Sequence, residues 1–263
     1  GSLEGPVVNR KMGLFLQALM GTTATPVQQA ATAAYLQTHT LADTFGKSLS
    51  LQAGVPELSG TVRPYTLNGS KINDAEFTFE VDKAVTVKFG IDAQAMSEVP
   101  SLAVASYVTS RPFVGTDASF KVGATFGSEA AVSGVKKVAV KIDRGLKDDR
   151  FYLGASGLKA EQVIADYAKI TGSIGADFLD KTVFADRFAA DTGFYLVIEA
   201  VGALIASTYY DRITIKLPGC FLDGDTPTVD GVDVVSGDFP FTWMYDGTNL
   251  PVIEYMSTDV TLG

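Results

Sequence analysis

Residues 77–89 read FTFEVDKAVTVKF, and the alternation in this stretch decides the fold class. Apolar side chains occupy nearly every odd position, and most even positions carry threonine, glutamate, aspartate or lysine. A repeat of two places one set of side chains in a core and the other in water, which is typical of antiparallel sheets. We therefore expect a strand over residues 75–91 with one buried face and one polar face.

The same alternation recurs in the second half of the chain. Its apolar members are Val138, Val140 and Ile142, then Ile213, Ile215 and Leu217, then Phe239, Phe241, Trp243 and Tyr245. Dipeptides typical of tight turns punctuate the chain at Asn68-Gly69, Asp223-Gly224, Asp230-Gly231 and Asp246-Gly247. Together these patterns predict a mainly β protein, with a further strand in the ambiguous stretch 158–170.

A weak internal repeat suggests that one unit was duplicated. Gly1-Ser2-Leu3 precedes a helical pattern over residues 11–20, and Gly172-Ser173-Ile174 precedes another over 180–190. We predict two tandem β-sandwich or barrel domains, each with one flanking helix. Their ranges are 1–99 and 118–263, joined by a connector over 100–117. The second unit has a preface at 119–170 without a counterpart, so we expect the first unit to lack its N-terminal part before Gly1.

Composition narrows the possible partners. The 263 residues are 46% hydrophobic, which is enough for a sizeable core. Thirty acidic residues against 21 basic ones give a net charge of −9, which disfavours binding to nucleic acid through its phosphates. No apolar run approaches the roughly 18 residues of a membrane-spanning helix, so we expect no membrane association.

Residues suited to catalysis are scarce. The single histidine, His39, stands in a threonine-rich segment with no glycine elbow around any serine, and the single cysteine, Cys220, follows Pro218-Gly219 in an expected turn. One cysteine and one histidine cannot form a disulfide or a zinc cluster. We predict no catalytic, cofactor-binding or metal site, and an enzyme is the least expected class.

Acidic pairs are the remaining candidates for a cation site. Asp148-Asp149 lies between Lys147 and Arg150, which indicates a solvated turn that neutralises itself. Residues 223–225 and 230–233 resemble fragments of calcium loops, but they lack the downstream glutamate of such loops. We interpret both as β-turns.

Several segments resemble the tail tube proteins of long-tailed bacteriophages of the siphophage type. The resemblance rests on the order and spacing of degenerate motifs over most of the chain. The segments are 145–151 (GLKDDRF), 170–174 (ITGSI) with the helix after it, 213–218 (ITIKLP), 227–235 (PTVDGVDVV), 239–241 (FPF) and 245–247 (YDG).

The resemblance implies a structural virion protein of the tail, assembled in the cytoplasm of the host bacterium. Such proteins form rings that stack into a tube for genome delivery, usually with six single-copy subunits per ring. With two fused tube units, three chains would close a ring of pseudo-sixfold symmetry, and a homohexamer is the alternative. Expected partners are other copies of the chain, the tape measure and terminator proteins, and double-stranded DNA that passes through the lumen without specific binding.

Two surfaces are predicted to serve assembly. The polar faces of the strands over 75–91 and 134–143 would line the lumen, although Lys83, Lys88, Lys137 and Lys141 would soften its negative field. The long segment 42–64, predicted as a loop, would make contacts between rings. Two other classes stay open: the inner tube of a contractile tail or secretion apparatus, and a β-sandwich module for carbohydrate binding or adhesion.

Overall fold

The computed structural model describes residues 1–22, 24–99, 101–177, 185–223 and 236–262. Its first half contains β1 (Ser2–Pro6), α1 (Gly13–Met20), β2 (Val27–Gln28), β3 (Tyr35–Thr40), β4 (Leu49–Pro56), β5 (Val62–Glu80), β6 (Thr86–Asp92) and β7 (Ala95–Glu98). A 3-10 turn over Gly115–Asp117 leads into β8 (Ala118–Gly123), β9 (Ala130–Ala131), β10 (Val135–Asp143), β11 (Leu146–Lys147) and β12 (Val163–Ile164). The remaining elements are β13 (Lys169–Asp177), α2 (Ala185–Ala189), β14 (Phe194–Ala206), β15 (Tyr209–Leu222), β16 (Ser236–Trp243) and β17 (Val252–Ser257). The predicted mainly β fold is confirmed.

Fifteen of these strands form one continuous antiparallel sheet. Its main path runs β1-β6-β5-β10-β13-β16-β15-β14-β8-β9, and β17, β3 and β2 extend it from the first half of β15. The long strand β15 connects two parts of the sheet. Its residues 212–216 pair with β17, and its residues 220–222 pair with β16. We call β1, β6, β5, β10, β13 and β16 the front sheet, and β17, β15, β14, β8 and β3 the back sheet.

The apolar faces of the front and back sheets share one core. Phe77, Val87 and Phe89 of the opening stretch are buried there as the alternation predicts, whereas Val81 is 41% exposed. Ile142 and Ile174 join them from the front sheet, and Ile198, Ile215 and Tyr255 join from the back sheet. Burial of such side chains stabilises the fold by about 2 kcal/mol each.

Both helices lie within the predicted helical stretches. In α1, Leu16, Leu19 and Met20 are buried, and α1 packs against β5, β3 and β17. The helix ends because Gly21 takes a left-handed φ of 89°, and its N–H donates to the carbonyl of Gln17. The shorter α2 contacts β15. Residues 180–184 of the second predicted helix lie outside the described residues.

Two predictions about turns in the first half of the chain need correction. The strand over 75–91 is a hairpin, in which β5 and β6 are joined by a turn at residues 81–85. The sequence does not reveal this turn, because Val81 before it and Val85 after it both fall on odd positions and continue the alternation. Asn68-Gly69 is no hairpin turn either. It lies within β5 beside a register shift between Leu49 and Leu51 of β4, where Gly69 has a φ of 61°.

The segment over 42–64 is also not a loop. Its residues 49–56 form β4, which pairs with the first part of β5, and β7 pairs with β5 on the other side. These three strands project as an arm from the front sheet, and their side chains are largely exposed. In the predicted strand over 158–170, only Val163–Ile164 and the residues from Lys169 onward are in strands.

The ranges 1–99 and 118–263 are joined by strand pairing in two places. In the front sheet β5 pairs with β10, and in the back sheet β3 pairs with β17. Both ranges also contribute to the same core cluster. The described residues therefore show interleaved strands around a shared core, and the duplication stays a prediction about how the chain arose.

Candidate assembly surfaces

The face of the front sheet that points away from the core is polar. Residues 137, 139, 141 and 143 of β10 carry this face, because 138, 140 and 142 are buried. The β5–β6 hairpin continues it with residues 74, 76, 78, 86 and 88. The two stretches predicted to share a polar wall are thus hydrogen-bonded neighbours that present their polar side chains on the same side.

The strand register orders these side chains into rows across the sheet. One row contains Glu4, Lys88, Glu76, Lys141, Thr171 and Thr242, each directly opposite the next. The adjacent row, two residues further along, carries no charge and contains Pro6, Thr86, Thr78, Ala139, Ser173 and Pro240. Directly opposed side chains have Cβ atoms about 5 Å apart, which is close enough for unlike charges to attract.

The arm carries an exposed apolar surface. Val55, Val62 and Met96 are about half exposed, and Leu58 at the hairpin tip is fully exposed. Leu102 and Val104, which follow the arm, are exposed as well. Clustered apolar side chains in water are typical of a surface that is covered by another protein.

The root of the arm is fixed to the body by a network of charged groups. The Lys71 Nζ, in a side chain that is 2% exposed, donates to Glu161 Oε1 at 2.6 Å and to the carbonyls of Thr44 (2.9 Å) and Gln162 (2.8 Å). The same Glu161 oxygen accepts from the backbone N–H of Gly46 at 2.6 Å. Residues 144–168, here called the anchor loop, therefore connect the segment before β4, which contains Gly46, with Lys71 of β5 at the arm root.

Further contacts of the anchor loop support this arrangement. Lys159 and Gln162 both donate to Asp92, the residue at which β6 ends just before the arm strand β7. Burial alone would raise the pKa of Glu161, but the hydrogen bonds from Lys71 and Gly46 hold that pKa below its usual value. Glu161 is consequently a carboxylate at neutral pH, as the buried ammonium group requires.

The strand β1 forms an exposed sheet edge. It pairs with β6 alone among the described strands, and its residues are exposed apart from half-buried Gly5. A small apolar groove of about 160 Å³ lies beside it, lined by Leu3, Met12, Phe15, Val87 and Phe89 among others. An unprotected edge of this kind can add a strand from another chain.

His39 is placed in the core, and the partner of its Nε2 is a side-chain amide, which is not a nucleophile. It lies on β3 opposite Ile253 of β17, and its Nε2 is 3.2 Å from Oε1 of Gln37, which is also buried. Burial lowers the pKa of His39 to about 4. Protonation of this side chain is therefore coupled to unfolding.

We expect His39 to make the fold sensitive to acid. Because its pKa falls from 6.5 to about 4 on folding, its stabilising contribution is complete above pH 6.5 and is lost as the pH drops towards 4. The loss approaches about 3 kcal/mol in unfolding free energy. Urea unfolding of the wild type and of His39→Gln between pH 7 and pH 4 measures it. The difference between the two proteins should shrink by that amount, and parallel pH profiles would contradict the assignment.

The other candidate residues, Cys220 and Asp149, lie in different parts of the structure. Cys220 is buried on β15, where burial raises the pKa of its thiol and its Sγ donates to the carbonyl of Leu217. Asp149 forms an exposed ion pair with Lys147 at 3.0 Å, as expected for a turn that neutralises itself. Among the described residues no group of three or more ligand-type side chains could hold a metal ion. Residues 224–225 and 230–233 lie outside the described part.

A family model described as phage tail tube protein matches residues 1–243. The chain belongs to this family. The predicted resemblance is thereby confirmed, and this tail tube protein is a structural component of the virion tail. Membership also implies self-assembly into a tube together with other tail proteins. A search of curated proteins finds no match.

Two features of the tail tube protein were not predictable from its motifs. The charged network at the arm root joins residues about 90 positions apart, and only a structure brings Lys71 and Glu161 together. The edge strand β1 is short and contains glycine and proline, so it carries no alternation signal. In the described part of the chain, no helix is long and apolar enough to cross a membrane.

Proposed function

We propose that this protein forms rings that stack into the tail tube of a long, non-contractile tail, through which the genome enters the host cell. The match to the tail tube family over residues 1–243 carries the proposal. The polar front sheet, the exposed edge β1 and the apolar arm supply surfaces for a lumen, a ring contact and a stacking contact. The proposed role is structural, without catalysis or a cofactor.

Ring closure uses the edge of β1. A strand of the neighbouring copy would pair with the free side of β1 and would cover the apolar groove beside it. The contact is heterologous, because β1 meets a different surface of the next copy, and a rotation that closes then generates a ring. The front sheet would continue from copy to copy around the lumen.

The symmetry of the ring depends on whether each chain contains one tube unit or two. Two independent tube units per chain would give a homotrimer with pseudo-sixfold symmetry. The pairing of β5 with β10 and of β3 with β17 around a shared core favours one tube unit per chain. We therefore propose a homohexamer, with the trimer as the alternative.

Stacking uses the arm. Its strand β4 has eight residues and extends about 25 Å at the usual rise per residue. Its exposed apolar side chains, with Leu58 at the tip, would be covered by a copy in the adjacent ring. This assigns to the arm the contact that was predicted for residues 42–64.

The remaining partners follow from the same arrangement. In the host cytoplasm the tube would assemble around the tape measure protein and end at a terminator protein, and double-stranded DNA would later pass through the lumen. An inner tube of a contractile tail or secretion apparatus would need a surface that binds a sheath. An adhesion module would need a platform of exposed aromatic side chains, whereas Trp243 is half-buried and packs against the core.

Negative-stain electron microscopy of the purified protein tests the proposal. We expect rings or tubes with a central pore, and class averages should show sixfold rotational symmetry. Threefold averages would support the trimer and leave the tube role in place. Particles that stay monomeric at high protein concentration and in the presence of the other tail proteins would contradict the proposed function.

A further inference from the structure

We propose that the charged row across the front sheet is a self-neutralising belt that prevents duplex DNA from binding to the pore wall. The belt consists of Glu4, Lys88, Glu76 and Lys141, with Thr171 and Thr242 completing the row. The inference rests on the proposed function, because it requires the front sheet to face the lumen.

The order of charges along the belt alternates strictly. Lys88 on β6 lies between Glu4 of β1 and Glu76 of β5, and Glu76 in turn lies between Lys88 and Lys141 of β10. All four side chains are exposed on the polar face. The belt thus contains two carboxylates and two ammonium groups, and each lysine has a glutamate directly opposite.

Alternation has a physical consequence for a passing polyanion. Neighbouring strands are about 4.8 Å apart, so unlike charges in the belt are closer to each other than the screening length of about 8 Å at physiological salt. Their fields cancel within a distance comparable to that spacing. A phosphate moving past the wall therefore meets neither the attraction of free lysines nor a strong repulsion.

Of the two rows that flank the belt, one is acidic, because it places Asp74 directly opposite Asp143, which in turn lies opposite Lys169. The other flanking row, which contains Thr86, Thr78, Ala139 and Ser173, has no charge. In the row beyond this uncharged one, Lys137 lies between Glu80 and Gly175. Gly175 in turn lies opposite Asp238. Lys88 and Lys141 thus each lie opposite a glutamate of the belt, and Lys83 and Lys137 share Glu80, which forms an ion pair with Lys83 at 2.8 Å.

The belt predicts an asymmetric response to mutation. Glu4→Gln with Glu76→Gln removes the neutralising carboxylates and uncovers Lys88 and Lys141, so duplex DNA should bind. Lys88→Gln with Lys141→Gln should leave binding undetectable. Asp148→Asn with Asp149→Asn, on the exposed anchor loop, is the matched control because it changes net charge by the same amount as the glutamate pair.

Co-sedimentation of assembled tubes with short linear duplex DNA is the measurement, with a covalently closed DNA circle as a second probe that cannot thread a pore. At low salt we expect the glutamate double variant to bind linear DNA at least about tenfold more tightly than wild type, and binding should fall steeply as salt increases. The circle should not bind.

Three results would overturn the belt. These are binding by the glutamate variant no tighter than by the Asp148/Asp149 control, binding of linear DNA by wild-type tubes, and equal binding of linear and circular DNA. Thermal melting checks that the variants fold, since exposed cross-strand pairs contribute little to stability. Microscopy of the same samples separates the two proposals, because well-formed tubes with any of these results refute the belt alone.

Discussion

Shortening the arm should abolish tube formation while the subunit still folds. The variant removes residues 54–64 and joins Ala53 to Tyr65 through an Asn-Gly turn, which suits a two-residue hairpin because these residues are directly opposite in the register. It deletes the exposed side chains of Val55, Leu58 and Val62 and retains the pairing between β5 and β7 at Tyr65. Electron microscopy should then show no tubes at concentrations that polymerise the wild type.

Folding of the shortened subunit is measured separately. Because the deleted residues lie outside the core cluster, we expect the melting temperature to stay within a few degrees of wild type. Leu58→Ser is the point-mutation control, and it should fold normally and weaken tube formation without abolishing it. Normal tubes from the shortened chain would refute the stacking role of the arm.

Removing the charge of Glu161 should destabilise the subunit by about 3 kcal/mol or more. Glu161→Gln leaves the Lys71 ammonium group almost fully buried without a counter-ion, and an uncompensated buried charge is costly. Lys71→Met should cost less, because the Glu161 side chain is 28% exposed and can be hydrated. The double variant should recover part of the loss, which shows as coupling in a double-mutant cycle.

Urea unfolding at pH 7 measures these differences. The control is Asp149→Asn, which breaks the exposed ion pair with Lys147 and should leave the unfolding free energy close to that of the wild type. If Glu161→Gln were as mild as Asp149→Asn, the network at the arm root would not hold the arm to the body. Loss of tubes in a Glu161 variant that remains folded would tie the network directly to assembly.

Alternation predicted the core well because it reports burial directly. Phe77, Val140, Ile215 and Phe241 are all buried as their parity requires. The same signal does not show where a strand turns back when the turn preserves parity, as at residues 81–85 between β5 and β6.

Other features could not be predicted because they depend on contacts between distant residues. Lys71 follows Ser70 and precedes Ile72, and nothing nearby in the sequence marks it as a buried lysine. Its partner Glu161 lies in the anchor loop, which lacks a periodic pattern. Glycine and proline interrupt the sequence of the arm and its side chains show no sustained alternation, so the sequence predicts a loop there.

The pairing of β3 with β17 has a consequence for the order of events during synthesis. β3 lies near the beginning of the chain and β17 near its end, and each supplies a neighbour to the other in the back sheet. A ribosome exposes residues 35–40 long before it has translated residues 252–257, so the back sheet cannot be completed before β17 has been made. A chain that stops before residue 252 would lack β17, so the edges of β15 and β3 that pair with β17 would both be left without a partner.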